Sequence, residues 1–199
     1  MREKVRMNMR MVLLSLIAVG VSLVLVFHLA PAATAPPATG GQLPEINLAV
    51  PRDAGEKEYL GLSGDGLFKI SQIKAEVVIV EIFSMYCPFC QKDAPGINKL
   101  YQLVEQNPDL RDRIKLIGIG AGNSAFEVEV YKKTYNVPFP LFPDPDFGIH
   151  KACGEVRTPF FVGVKINKDR SHRIFLSQPG GFPGAQPFLE KILKDSGLK

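Results

Sequence analysis

The sequence predicts an α/β fold, a sheet covered by helices, and three observations carry that prediction. Short apolar runs alternate with helical patterns along most of the chain, the order expected when helices pack on a sheet. One run, Val77-Val78-Ile79-Val80-Glu81-Ile82-Phe83, is apolar without alternation, as in a central strand covered on both faces. From Glu45 to the end there are about 155 residues, enough for one well-buried core. No internal repeat and no second domain is evident.

Residues 67–73 read as a short strand and turn leading into the central strand at 77–83. Over 88–106 the apolar positions Ile97, Leu100, Tyr101 and Val104 share one helical face, and Pro95 is expected to kink that helix one to two turns in. Residues 114–119 form a second buried strand. Residues 124–136 form a second helix with Val128, Tyr131 and Tyr135 on a common stripe. Residues 160–166 and 172–176 look like an antiparallel pair across Asn167-Lys168-Asp169-Arg170. A last helix is expected over 186–195, and Gly180, Gly181 and Gly184 before it are explained by turn geometry.

The N-terminus has the features of a targeting segment. Arg2, Lys4, Arg6 and Arg10 precede the uncharged stretch 11–29, after which the chain becomes rich in Pro, Ala, Thr and Gly. The apolar stretch approaches the roughly 20 residues that span a bilayer, while Ala30 and Ala32 offer a cleavage site for a signal peptide. Both alternatives, a single-pass anchor at about 11–29 and a cleaved signal within 1–30, export the C-terminal domain. Residues 31–44 are expected to be an extended linker of about 40 Å and 45–199 the folded domain. The formal charge of +4 reflects 24 basic and 20 acidic residues; four of the former and one of the latter lie in 1–30, leaving 20 against 19. No nucleic-acid footprint remains.

Cys87-Pro88-Phe89-Cys90 directly follows the central strand. Thiols at i and i+3 fall on one face of a helix that begins between them, within bridging reach. Pro88 suits the first helical position, which makes Cys87 the N-terminal cap. There the free N–H groups and the helix dipole favour thiolate over thiol. Cys87 is thus the expected nucleophile, and Cys90, one turn inside, the thiol that resolves a mixed disulfide. A structural disulfide and half of a zinc site are the alternatives. Zinc needs about four ligands, and the remaining Cys153, His28, His150 and His172 are not paired at ligand spacing. Neither metal nor cofactor is expected. Cys153 is either a second resolving thiol or a small buried hydrophobe, and His150 and His172 read as surface or packing residues.

The segments Val80 to Cys90, Pro95, and Arg157-Thr158-Pro159-Phe160-Phe161-Val162 together resemble the thioredoxin fold over about residues 43–196. More narrowly they are similar to the membrane-anchored TlpA/ResA type of thiol-disulfide oxidoreductase within the redoxin superfamily. The resemblance implies a central mixed β-sheet flanked by helices. It implies that Thr158-Pro159 is a cis-proline loop facing the dithiol and binding an extended substrate segment by strand addition, with Phe89 beside it. It also implies that Glu81 is a buried acid whose raised pKa lets it move a proton to or from Cys90. Tyr86 stands where the family usually has tryptophan, and Pro-Phe fills the intervening dipeptide, without the histidine of strong oxidants.

The implied activity is reduction of disulfides in exported proteins, including apocytochromes during haem attachment. The implied partners are protein thiols and disulfides, and a membrane-embedded electron donor at the bacterial cytoplasmic membrane, with the catalytic domain periplasmic. Two other classes compete. A peroxiredoxin-like peroxidase is suggested by Ser84 three before Cys87, although Val80 replaces the expected upstream proline. A tethered binding or metallochaperone module would need a ligand set the sequence lacks.

Overall fold

In the computed structural model, which describes residues 35–198, the seven residues of Val77–Phe83 are all buried. This strand, β3, takes the centre of a five-stranded mixed sheet of order β5-β4-β3-β6-β7. It runs parallel to β4 (Ile114–Ala121) and antiparallel to β6 (Phe160–Ile166). The edges are β5 (Leu141–Asp144), parallel to β4, and β7 (His172–Pro179), antiparallel to β6. A separate antiparallel ribbon pairs β1 (Asn47–Ala49) with β2 (Leu67–Lys69).

Alternation along β3 divides the core. Val77, Ile79 and Phe83 face a cluster containing Cys90, Ile97, Leu100 and Val104 of α2 (Pro88–Glu105). Val128 and Tyr131 of α3 (Ala125–Thr134) and Phe188 and Ile192 of α5 (Ala185–Ser196) join the same cluster. Val78, Val80 and Ile82 face the other cluster, with Phe68 of β2, Leu60 of α1 (Ala54–Leu60) and Cys153, the C-cap of α4 (Gly148–Ala152). Glu81 shares the parity of Ile79 and Phe83 and therefore lies on the Cys90 side.

The helix starts are local. Pro88 opens α2, and Ser124 opens α3 through a reciprocal capping box with Glu127. Pro95 lies inside a continuous α2. At Gly163 the sheet demands the absence of a side chain, since a Cβ there would sit 2.5 Å from Phe175 Cζ and 2.8 Å from Leu176 Cβ.

Strand β2 and the tight turn after it, Ile70–Gln72, fall within the short strand and turn expected over 67–73. Three other short elements escape the sequence patterns: β1 spans three residues, and α1 and α4 only seven and five, so periodicity has too little length to register. Pro143 disguises β5, which tolerates proline because it is an edge strand.

The expected linker 31–44 needs correction over its described part. Gly40 N–H donates to Ile174 O and Ile174 N–H to Gly41 O, both at 2.8 Å, and Ser177 Oγ–H donates to Pro37 O. Pro37 and Leu43 are buried. The open edge of β7 supplies the backbone partners, so residues 37–44 belong to the folded domain. The expected signal or anchor at 1–30 lies outside the described residues, among which no helix is long and apolar enough to cross a membrane.

Candidate active site

Strand β3 ends at Phe83, and a tight turn closed by Cys87 N–H to Ser84 O (3.0 Å) delivers Cys87 to the start of α2. Cys87 is the N-cap, in extended conformation, and its sulfur accepts the N–H of Cys90 at 3.5 Å. The two cysteines are free thiols; Cys87 is half-buried and Cys90 is inaccessible.

Their acidities are pushed apart. Burial, the largest influence on Cys87, raises its pKa. The Thr158 side chain and the N–H groups of Cys90 and Phe89 together outweigh it and leave the thiol below its ordinary value. Burial drives Cys90 far upward, and the neighbouring Cys87 and Glu81 add to it against a backbone hydrogen bond with Ser84. Thiolate forms first at Cys87.

Thr158-Pro159 is cis, and Thr158 O accepts the Cys87 thiol at 3.3 Å. The loop therefore lies against the Cys87 sulfur. Its far side is fixed by Gly180 N–H to Pro159 O at 2.9 Å. Phe89 and Tyr86 flank Cys87 and are about two-thirds exposed, at 68% and 65%. That leaves apolar surface beside the Cys87 sulfur.

Glu81 is buried, and its Oε1 has no hydrogen-bond partner. Burial, then the charges of Asp93 and Cys87, raises its pKa from 4.5 to about 8. It borders an interior gap of about 10 Å³ with Ile79, Ile97, Leu116, Phe139 and Phe161, barely the volume of one water. The carboxyl is thus protonated at neutral pH and able to exchange that proton near pH 8.

Cys153 is buried in the opposite core layer from Cys90, and burial, then Asp144, pushes its thiol up to about 11. It is not brought to the dithiol. His150 Nε2 is engaged with Val156 O at 2.7 Å, and among the described residues no cluster of His, Cys, Asp or Glu could hold a metal.

Sequence reasoning missed three residues. Asn123, fully buried, accepts Met85 N–H at 2.8 Å, and Gln91 Nε2–H donates to Met85 O at 2.7 Å. Tyr131 donates its hydroxyl to Cys90 O at 3.0 Å, so a residue read as core stripe also pins the second cysteine. Nothing in Gly122-Asn123-Ser124 signals that the amide reaches Met85 in the turn before Cys87. Surface depressions of 340 Å³ around Lys74, Arg113 and Lys168 and of 570 Å³ around Tyr59, Tyr101 and Lys132 include neither cysteine.

The chain belongs to the AhpC/TSA family, whose model matches residues 39–179. No curated protein matches it. Among solved structures, a chain from Chlorobium tepidum described as a thiol:disulfide interchange protein DsbE aligns with a TM-score of 0.59 at 15% identity, covering 81% of this chain and 99% of that one. A chain from Bacteroides thetaiotaomicron described as a protein disulfide isomerase aligns at 0.58 and 19%, covering 81% and 91%. The thioredoxin domain of a thiol-disulfide oxidoreductase from Bacteroides vulgatus aligns at 0.57 and 15%, covering 77% and 96%. At these identities the likeness establishes the fold, a thioredoxin-like one, as the resemblance implied.

Proposed function

We propose that this protein is an extracytoplasmic thiol-disulfide oxidoreductase of the TlpA/ResA type that reduces disulfides in exported proteins. The observation that carries the proposal is the pairing of a helix-capping, acidified Cys87 with a shielded Cys90 beside a cis-proline loop. The names of the structural neighbours and the AhpC/TSA match support it.

The Cys87 thiolate attacks one sulfur of a substrate disulfide, forming a mixed disulfide and expelling the other sulfur as thiolate, which takes up a proton. Glu81, in its carboxylate form, accepts the Cys90 proton. The Cys90 sulfur then attacks Cys87 Sγ, closing the Cys87–Cys90 disulfide and releasing the second substrate thiolate, which takes up the proton that Glu81 gives back. Two electrons and two protons pass from the dithiol to the substrate. Phe89, Thr158 and Pro159 line the surface where an extended substrate segment docks.

A membrane-embedded donor reduces the disulfide again, and the N-terminal segment keeps the domain at the cytoplasmic membrane or exports it to the periplasm. Maturation of c-type cytochromes is one process with this demand.

Cys90→Ser should accumulate mixed disulfides through Cys87, and Cys87→Ser should not, as read by non-reducing electrophoresis after acid quenching. Trapping by Cys87→Ser instead would reverse the roles. The reductase direction calls for a couple near −270 mV; one near −120 mV would make the protein an oxidant, about 7 kcal/mol away.

The family match and Ser84 favour a second reading, a peroxidase working through Cys87 alone. Rapid peroxide consumption retained in Cys90→Ser would establish it.

A further inference from the structure

We propose that Asn123 and Gln91 are positioning residues for Cys87: they clamp Met85 by its N–H and its C=O and thereby hold the turn that sets the nucleophile on its helix cap. This deepens the oxidoreductase reading and rests on it. Met85 is a central residue of the turn closed by Cys87 N–H to Ser84 O. Asn123 Oδ1 takes its N–H at 2.8 Å and Gln91 Nε2–H supplies its C=O at 2.7 Å. Both polar groups of one residue are thus held by side chains from two different places, the start of α3 and the first turns of α2.

The site is built for the amide of Asn123. A Cβ at Gly120 would lie 3.1 Å from both Cβ and Oδ1 of Asn123, so the bare backbone of β4 makes the room. Gly122, with φ +66°, turns the chain into position beneath the Phe147 ring, which fills the space a side chain would need. Asn123 Nδ2 also reaches Ser84 Oγ at 3.5 Å.

The thiolate at Cys87 depends on where its sulfur sits relative to the N–H groups of Phe89 and Cys90. The titratable groups coupled to Cys87 are Cys90, Glu81 and Tyr131, and at the adjoining end of α3 Tyr86 is bonded to Glu127. Asn123 and Gln91 carry no charge. Removing either alters no charge near the sulfur, so any change in its titration is transmitted through geometry.

The test is thiolate absorbance near 240 nm against pH, with iodoacetamide alkylation rates, on the reduced full chain. Cys90 is pushed far up and Cys153 to about 11, so the first thiol to titrate is Cys87. Asn123→Ala and Gln91→Met should each raise that titration by about one pH unit. At a pH below the wild-type titration the thiolate fraction then falls about tenfold while each thiolate becomes about threefold more nucleophilic, so alkylation slows about threefold.

A titration unmoved in folded Asn123→Ala and Gln91→Met overturns the clamp, even if the unfolding midpoint drops, because a merely structural amide would do only the latter. Should Asn123→Ala not fold, half-buried Gln91 decides alone, and an unmoved Gln91→Met overturns the proposal. Alkylation needs no protein substrate, so inactivity toward protein disulfides would count against the proposed function and leave the clamp standing.

Discussion

Glu81 is a carboxyl group inside a strand with no exposed residue, and its unpaired oxygen ties acidity to stability. Below pH 4.5 both folded and unfolded chains hold the proton, so Glu81→Gln should leave stability nearly unchanged. As pH rises toward about 8 the unfolded chain releases the proton and the folded one keeps it, so wild-type stability is progressively lost. The displacement from 4.5 to about 8 corresponds to at most about 5 kcal/mol. Urea unfolding should therefore show Glu81→Gln more stable than wild type at pH 9 and equal to it near pH 4. The same substitution should remove the rise of the Cys90 resolving step through pH 8, because it removes the base proposed to accept the Cys90 proton. Equal stability at both pH values would show that the carboxyl finds a partner when ionised, and an unchanged pH-rate profile would take Glu81 out of the mechanism. Of the site, Cys87, Cys90, Glu81 and Thr158-Pro159 are legible in the sequence because each is a rare residue type in a telling local setting. Asn123 and Gln91 are not, since they are ordinary amides in unmarked settings, Asn123 acting from 38 residues away and Gln91 from six.

At the scale of elements, the long pieces are legible and, β2 apart, the short ones are not. The residues of β3, β4 and β6 form continuous apolar runs, and α2, α3 and α5 carry stripes several turns long, so pattern alone finds them. Strand β5 carries a proline, and α4 has no buried residue of its own. What fixes β5 is its pairing with β4, and what fixes α4 is the Asp144 carboxylate at the end of β5, which accepts the N–H groups of Ile149 and His150. Close packing of β6 on β7 gives a prediction at this scale. Gly163 is paired with Leu176 at a register irregularity, and a Cβ would approach two side chains within 2.5 and 2.8 Å. Replacing a strand glycine normally gains roughly 0.5–1 kcal/mol from the unfolded chain. Overpacking here costs roughly 1–3 kcal/mol, and one obstacle is the Cβ of Leu176, which cannot swing aside. Gly163→Ala should thus lower stability by about 1–2 kcal/mol in denaturant unfolding; a stabilised variant would mean that β7 shifts freely.

For the whole molecule, the segment before β1 decides how far the folded unit extends. Its Pro, Ala and Gly content suggests a free tether, because composition does not reveal that β7 leaves an edge open beside it. Residues 37–44 answer that edge with two backbone hydrogen bonds at Ile174 and with buried Pro37 and Leu43. Each net hydrogen bond contributes roughly 0.5–1.5 kcal/mol, and burial of a leucine side chain about 1.5–3 kcal/mol. Ordering of flexible chain offsets part of this. A chain beginning at Glu45 should accordingly be about 2–3 kcal/mol less stable than one beginning at Ala35, a large share of the roughly 5–15 kcal/mol that holds an ordinary domain together. It should also self-associate more readily, since the bared edge of β7 is a template for pairing. Denaturant midpoints and sedimentation of the two chains provide the check. Coincident midpoints with no association would return residues 37–44 to the role of a tether and set the domain boundary at 45, where composition alone places it.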